Sequence, residues 1–478
     1  MADDGSSRHE RERAFDAEEL FFSATDARGV ILHGNPVFIR VSGYEPDQLF
    51  GRPHNLVRHP DMPRAVFRLF WDHLDGGRPV AAYVKNRAQD GSFYWVAASA
   101  VPTAHGYLSI RMKPTTAWFD VAKDIYRDVR TVERALEDRG EPRHEVIAAG
   151  SARLLARLGA AGFDGYDSFM ESFLPAEIAA RAALVGSSST GPSRRERDAG
   201  AHGRDDVPAA ALAFECRALV GLLDRVFADI DAYVELNEHL SAKTSFLLNL
   251  ADQVSVVSLN AVIAASRLPG TGGPLGVIAE GMRVQGDRSA VLVRALAGET
   301  TRTVQLLRDL GFRVSLAKLQ SEMALFFVDE LTGSAAGSGL LRSLGGLTEC
   351  LGTGVDDTAA HLAALDARLR TIDSLVSELL SALRALSFTE INGRIESTRV
   401  EGAAAFEALF TQVQSQIATA SSELTDLARA ATNAGGRRSV VDPDELRSQG
   451  ERLAAAARHV GAATTERREA PGATTGAP

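Results

Sequence analysis

The sequence predicts an α+β protein: an N-terminal five-stranded antiparallel sheet with helices, followed by a long all-α antiparallel helical bundle or coiled coil. Three observations carry that prediction. Short apolar runs separated by turn residues crowd into residues 20–115, the C-terminal half is Ala- and Leu-rich and poor in aromatics, and that half repeats itself. Residues 21–25 form a short apolar-rich run, 26–29 have turn chemistry and 30–33 are apolar again, so the chain opens as a hairpin. Asn35-Pro36 breaks the second strand, and short helical pieces are expected through Phe50. Residues 62–74 place Val66, Leu69, Phe70 and Leu74 on one helical face. A second hairpin follows, with 80–86 and 92–100 flanking the turn Gln89-Asp90-Gly91, and 107–112 supplies the fifth strand. Two strands, several short helices and three more strands on about a hundred residues describe a small antiparallel sheet with helices on one face.

The string Asn55-Leu-Val-Arg-His-Pro-Asp-Met-Pro63, just ahead of the helix that carries Trp71, has the composition of a ligand site. Arg58 offers a rigid fork of donors for phosphate, His59 a ring that donates, accepts or stacks, and Trp71 a flat face for an aromatic ligand. Each also has a plainer role. Asp61 is placed to N-cap the helix that follows, Arg58 to pair with a carboxylate, and Trp71 to fill core. His59 has a further reading as an axial haem ligand.

With these residues in view, positions 20–115 resemble the PAS domain of bacterial aerotaxis receptors, a family that binds FAD and reports redox state. The shared pieces are Asn35-Pro36, the string from Asn55 to Pro63, Trp71, Lys85-Asn86-Arg87, Asp90-Gly91, Tyr94-Trp95-Val96 and Gly106-Tyr107-Leu108-Ser109-Ile110-Arg111. The resemblance implies that Asn35, Arg58, His59, Asp61 and Trp71 take part in flavin binding. The Asn-Cys pair of blue-light LOV sensors is missing, so covalent flavin photochemistry is not expected.

Composition bounds the rest. A length of 478 residues suggests about three units, and 45% hydrophobic content is enough for real cores. The net charge of −10 argues against nucleic acid. Cys216 and Cys350 lie in separate helical stretches without metal-site spacing, which suits free thiols in a reducing compartment. The start of the chain carries no signal-peptide pattern, and residues 1–19 are expected to be disordered. The strongest membrane candidate, 246–266, is interrupted by Asn249, Asp252, Gln253 and Asn260, so it reads as a packed helix and the protein as cytoplasmic, without membrane insertion. Residues 116–185, with amphipathic runs at 121–136, 145–158 and 166–181, read as a helical connector. The Ser-, Gly- and Arg-rich stretch 186–208, including Arg194-Arg195-Glu196-Arg197, reads as a flexible linker, with a nucleic-acid arm the less favoured reading.

In the helical half, the segment from Leu259 to Arg267 aligns with that from Ile391 to Arg399, and 132 residues separate Asn260 from Asn392. The heptad seam carries over: Leu247, Leu250, Val254 and Val257 correspond to Leu379, Ala382, Leu386 and Thr389. After each Arg comes a break, 269–276 or 401–405, and then a second helix, in copy two opening at Phe406. The expected organisation is a first hairpin over 209–332, a loop at 333–346, a second hairpin over 347–434, a linker and final helix over 435–465, and a disordered tail over 466–478. Each hairpin resembles the signalling tip of methyl-accepting chemotaxis proteins, in which an Asn, an Ile-Glu pair and an Arg precede a Gly-rich turn. Copy one departs from the pattern, with Ala264 in place of the Glu and with Gly270 and Gly273 in the turn. The resemblance implies a chemotaxis coupling protein and a histidine kinase as partners, with Glu396 and Arg399 as the docking residues. Two hairpins on one chain could also close a four-helix bundle as an intrachain pseudo-dimer.

Catalytic motifs are missing. Pro269-Gly-Thr-Gly-Gly-Pro274 lacks the Gly-Lys-Ser/Thr of a phosphate loop, and no kinase box, cyclase signature or hydrolytic cluster is seen. The expectation is a non-enzymatic, redox- or oxygen-sensing signal transducer that holds FAD. A flavin-free PAS interaction scaffold and a haem-binding PAS gas sensor are the alternatives.

Overall fold

The computed structural model describes residues 11–188, 207–266, 273–333, 338–399, 404–436 and 441–469. The expectations for residues 1–10, for the linker core with Arg194 to Arg197, for the turns holding Arg267, Gly270 and residues 401–403, and for the tail beyond 469 lie outside them. So do the side chains of Leu247, Leu250, Val254 and Phe406.

The N-terminal domain is a five-stranded antiparallel sheet ordered β2-β1-β5-β4-β3. Its strands are β1 (Phe21–Asp26), β2 (Ile31–Gly34), β3 (Val80–Arg87), β4 (Phe93–Thr103) and β5 (Gly106–Met112). The first turn is made by Asp26, whose Oδ1 accepts from the Arg28 and Val30 amides, and by Gly29 at φ 75°. Between β2 and β3 lie α1 (Pro36–Ser42), α2 (Pro46–Leu49), a 3₁₀ turn (His54–Val57) and α3 (Arg64–Asp75). Strand alternation gives the sheet two distinct faces. Phe21, Ser23, Tyr94, Tyr107 and Arg111 share the face covered by α1, the 3₁₀ turn and α3, while Phe22, Tyr83, Trp95, Leu108 and Ile110 share the other.

Three connector helices follow: α4 (Ala117–Asp138), α5 (Arg143–Ala160) and α6 (Tyr166–Ser188). Tyr83 brings α4 and α6 onto the second face, its ring packing at a tilt against Phe119 (5.6 Å) and Phe173 (4.5 Å). Two fully buried carboxylates cap helices from a distance. Glu133 on α4 accepts from the Arg64 and Ala65 amides at the start of α3 (2.8 and 2.9 Å). Glu177 on α6 accepts from the Thr115 amide and hydroxyl, the Thr116 amide and hydroxyl and the Tyr83 hydroxyl (2.7 to 3.2 Å). Glu133 corrects the capping role expected of Asp61: the N-cap residue of α3 is Pro63, which has no side-chain acceptor, and Glu133 supplies the carboxylate.

The helical half consists of α7 (Val207–Ser266), α8 (Gly273–Gly333), α9 (Ser338–Ser397), α10 (Ala404–Gly436) and α11 (Pro443–Glu469). By compactness the chain divides into one unit of residues 1–224, 311–359 and 444–478 and a second of 225–310 and 360–443. In the first unit, Lys318 pairs with Asp224 (2.6 Å), Arg313 with Asp357 (2.6 Å), and Gln449 donates to Glu215 (2.8 Å), tying α7, α8, α9 and α11. In the second, antiparallel α9 and α10 meet at Arg394–Gln414 (2.8 Å), and Arg368–Glu299 (3.0 Å) joins α9 to α8. The seam residues Leu379, Ala382 and Leu386 are buried there.

One pair of positions differs between the repeats in how side-chain size is shared across the two arms. Gly393 leaves room for Phe410, since a Cβ on Gly393 would lie 2.4 Å from the Phe410 ring. The 132-residue offset matches Gly393 to Ala261, and with the turn of copy two one residue shorter Phe410 matches Ala279; both alanines are fully buried. In copy two a glycine on one arm admits a much larger side chain on the other.

α9 starts at Ser338, so most of the stretch expected as a loop at 333–346 is helical. Its glycines have a packing reason: a Cβ on Gly339 would lie 3.1 Å from His33, and one on Gly346 3.8 Å from Leu108. The small residues that look like turn chemistry let α9 approach the sheet.

Candidate functional site

The five positions singled out for flavin binding fall in three places. Asn35 is buried at the start of α1, where its Oδ1 accepts from the Phe38 and Phe22 amides (3.1 and 2.9 Å) and its Nδ2 donates to the Leu20 carbonyl (2.8 Å). It joins the helix end to β1. Arg58, His59 and Asp61 gather at the end of β3. His59 is buried, its amide donates to the Lys85 carbonyl, its Nδ1 accepts from the Asp61 amide (3.1 Å), and its ring meets the edge of Phe93. Asp61 pairs with Lys85 (2.8 Å) and Arg134 (2.6 Å); burial pushes its carboxyl up, but the Lys85 hydrogen bond and charge outweigh this and hold it below the usual range.

Arg58 donates to the Met62 and Pro63 carbonyls (3.3 and 3.4 Å), and its guanidinium lies 3.9 Å over the Phe67 ring. Burial, helped by the neighbouring Arg64 charge, lowers its pKa to about 10. Phe67 and Trp71 are one helical turn apart on α3, so Arg58 rests at one end of a half-exposed aromatic stripe with Trp71 at the other. Trp71 meets the edge of Tyr107 (5.3 Å) and closes over Gly29, where a Cβ would lie 3.1 Å from the indole.

Sequence reasoning missed a second constellation on the same sheet face. Arg111 in β5 is fully buried; its Nη2 donates to Ser23 Oγ (2.9 Å) and to His54 Nε2 (2.7 Å), while its Nη1 has no partner among the described residues. The Tyr94 hydroxyl, also buried, is likewise without a partner. Burial and the adjacent Arg111 charge pull His54 down to about 3, so His54 is neutral and accepts at Nε2. Burial lowers Arg111 to about 10 and raises Tyr94, so near neutral pH the pair is a guanidinium beside a neutral phenol. Phe38 stacks on His54 (6.0 Å) and lies under Arg111 (5.4 Å). The available signal was a charge at an inward position of an otherwise apolar strand, Ile110-Arg111-Met112.

Chemically, this face offers an uncompensated buried cation, an idle phenol donor and a run of aromatic rings. An isolated buried charge is costly, so donors of this kind call for an acceptor-rich or anionic partner. The fit to a flavin is good, because a flavin combines flat apolar surface with carbonyl and phosphate acceptors.

In the helical half, Arg399 pairs with Glu396 (3.4 Å) on an exposed surface. Phe388, Ile391 and Ile395 are exposed beside them on α9, and so are Val256, Leu259 and Ile263, the same three positions of copy one. Among the described residues no helix is long and apolar enough to cross a membrane.

This fold and site define the class: residues 31–108 match the family model described as PAS fold, and the chain carries an N-terminal PAS domain. Among individual proteins, the chain is similar to the aerotaxis receptor of Escherichia coli (strain K12), 44% identical over 115 residues, which are 23% of this chain and 23% of that one. It is also similar to the nitrogen fixation regulatory protein of Klebsiella pneumoniae, 34% identical over 80 residues, 17% of this chain and 16% of that one. The chain thus spans less than a quarter of the length of these curated relatives. A solved light-state structure of the blue-light photoreceptor Aureochrome1 LOV aligns at 19% identity and a TM-score of 0.20, covering 23% of this chain and 90% of that one.

Proposed function

We propose that the PAS domain holds FAD against the inner face of its sheet and that the protein is a cytoplasmic redox- or oxygen-sensing signal transducer rather than an enzyme. The observation that carries this reading is the buried Arg111, whose Nη1 has no partner among the described residues, beside the idle Tyr94 hydroxyl. The aromatic stripe of Phe67 and Trp71 with Tyr107, and the 44% identity to an aerotaxis receptor, support it.

When bound, a flavin supplies a ring system whose charge changes with its redox state. Arg111, held by Ser23 and by the neutral His54 through Nη2, keeps its Nη1 as a fixed donor for an acceptor. Trp71 and Phe67 give flat apolar contact, and Arg58 at the end of the stripe would reach a phosphate by exchanging the Met62 and Pro63 carbonyls and the Phe67 face for it. Asn35, His59 and Asp61 act as positioning residues, holding α1 and the loop before α3 in place.

The helical half would relay the state of this site. The exposed Phe388, Ile391 and Ile395 beside Glu396 and Arg399 suit docking of a coupling protein and a histidine kinase. Absorbance of the purified protein tests the cofactor: a yellow chromophore with flavin bands, present or restored by added FAD, is expected. A Soret band would replace flavin with haem, and a colourless protein that takes up no FAD would leave an interaction scaffold.

A further inference from the structure

We infer that the outer face of β1, β2 and β5 is the contact through which the inner-face site acts on the helical half, and that it grips both arms of the junction between the two hairpins. The inference rests on the ligand site proposed above and adds where its state is read. Phe22 lies between Phe21 and Ser23, two residues whose side chains belong to the inner face. Its own ring points the other way and meets Phe327 of α8 edge-on at 4.7 Å and 85°. Because strand side chains alternate, β1 cannot shift on the ligand side without carrying Phe22 with it.

Asn35 tightens that link, since its side chain holds the Phe22 amide on one side and the start of α1 on the other. In β2, the His33 ring stands 6.4 Å from Phe327, and its Nδ1 lies 3.2 Å from the Ser343 hydroxyl of α9. In β5, Leu108 faces Gly346 of α9. Phe327 is within two turns of the end of α8 and Ser343 within two turns of the start of α9. The sensor therefore holds the last turns of one hairpin and the first turns of the next. Two packed helices slide or rotate in small steps when one contact moves, and a grip on both sides of their junction converts a strand displacement into relative motion of the hairpins.

Hydrogen–deuterium exchange on the full chain, without FAD and loaded with FAD, tests this. Besides slower exchange in the PAS domain, peptides around Phe327 and Ser343 should exchange at least about two-fold more slowly on loading. That remote protection should be lost in Phe327→Leu and reduced in Ser343→Ala, with the flavin absorbance of both variants unchanged. FAD bound with protection confined to the PAS domain would overturn the coupling and leave the ligand site standing, as would full remote protection in both variants. Failure of the wild-type chain to take up FAD would overturn both.

Discussion

The PAS region and the helical half differ in how they satisfy many of their buried polar groups. In the helices, buried hydroxyls are satisfied by their own backbone: Ser315 donates to Gly311 (2.7 Å), Thr348 to Leu344 (3.0 Å) and Thr358 to Gly354 (2.7 Å). Such residues ask nothing of their neighbours and leave Leu and Ala to set the packing. Around the PAS domain, buried carboxylates of the connector helices reach far along the chain, as Glu133 does to α3 and Glu177 to Thr115 and Tyr83, and the buried Arg111 is left with an idle donor. The unmatched atoms differ in kind: the helical half leaves buried acceptor oxygens of Gln285, Glu390 and Gln416 without a hydrogen-bond partner among the described residues, whereas the inner face of the PAS sheet leaves a donor of a buried cation, Arg111, unmatched.

The largest expected effect tests the long-range side of this comparison. Glu177→Ala removes the acceptor for five buried or part-buried donors and should destabilise the PAS-containing unit by about 3–5 kcal/mol, measured by denaturant unfolding. A loss below about 1 kcal/mol would show that water replaces the carboxylate readily.

The helical half offers a sharper test, because its packing should be local and additive. Gly393→Ala drives a Cβ into Phe410 and should cost about 2 kcal/mol despite the better helix propensity of Ala. In a Phe410→Ala background the same substitution rebuilds the Ala261/Ala279 arrangement of copy one and should become neutral or stabilising. If its cost is the same in both backgrounds, Gly393 is not there to make room for Phe410.

Acid should separate the regions too. The folded-state pKa of His54, about 3, lies below the unfolded value of 6.5, so the unfolded chain takes the proton first as pH falls. The contribution is complete above pH 6.5 and is lost progressively below it, by about 2 kcal/mol at pH 5 relative to pH 8. Thermal melts of wild type and His54→Leu should therefore converge or cross on acidification. Parallel curves would mean that His54 is not held neutral.

Much of this was legible in advance, for reasons of period and punctuation. Asp26 to Gly29 and Asp90-Gly91 mark tight turns by backbone chemistry that local sequence controls, and the 132-residue repeat displays the hairpins directly. What escaped depends on tertiary distance. Glu133 lies far along the chain from Arg64, so no local pattern hints that it, and not Asp61, caps α3. Gly339 and Gly346 read as loop because their smallness serves packing against His33 and Leu108. Of the site, Arg58, His59, Asp61 and Trp71 stood out by residue type, whereas Arg111, His54 and Tyr94 matter only because three separate segments converge.

The most direct test of the central claim, that the Arg111 charge is kept for a ligand, is a paired measurement on Arg111→Met: Tm without cofactor and FAD affinity by absorbance titration. Burying an uncompensated cation is a burden on the empty fold, so the variant should melt at or above the wild-type Tm while losing at least about tenfold in FAD affinity. A variant that melts lower and still binds FAD as the wild type does would contradict the account, because Arg111 would then serve the fold and not the ligand.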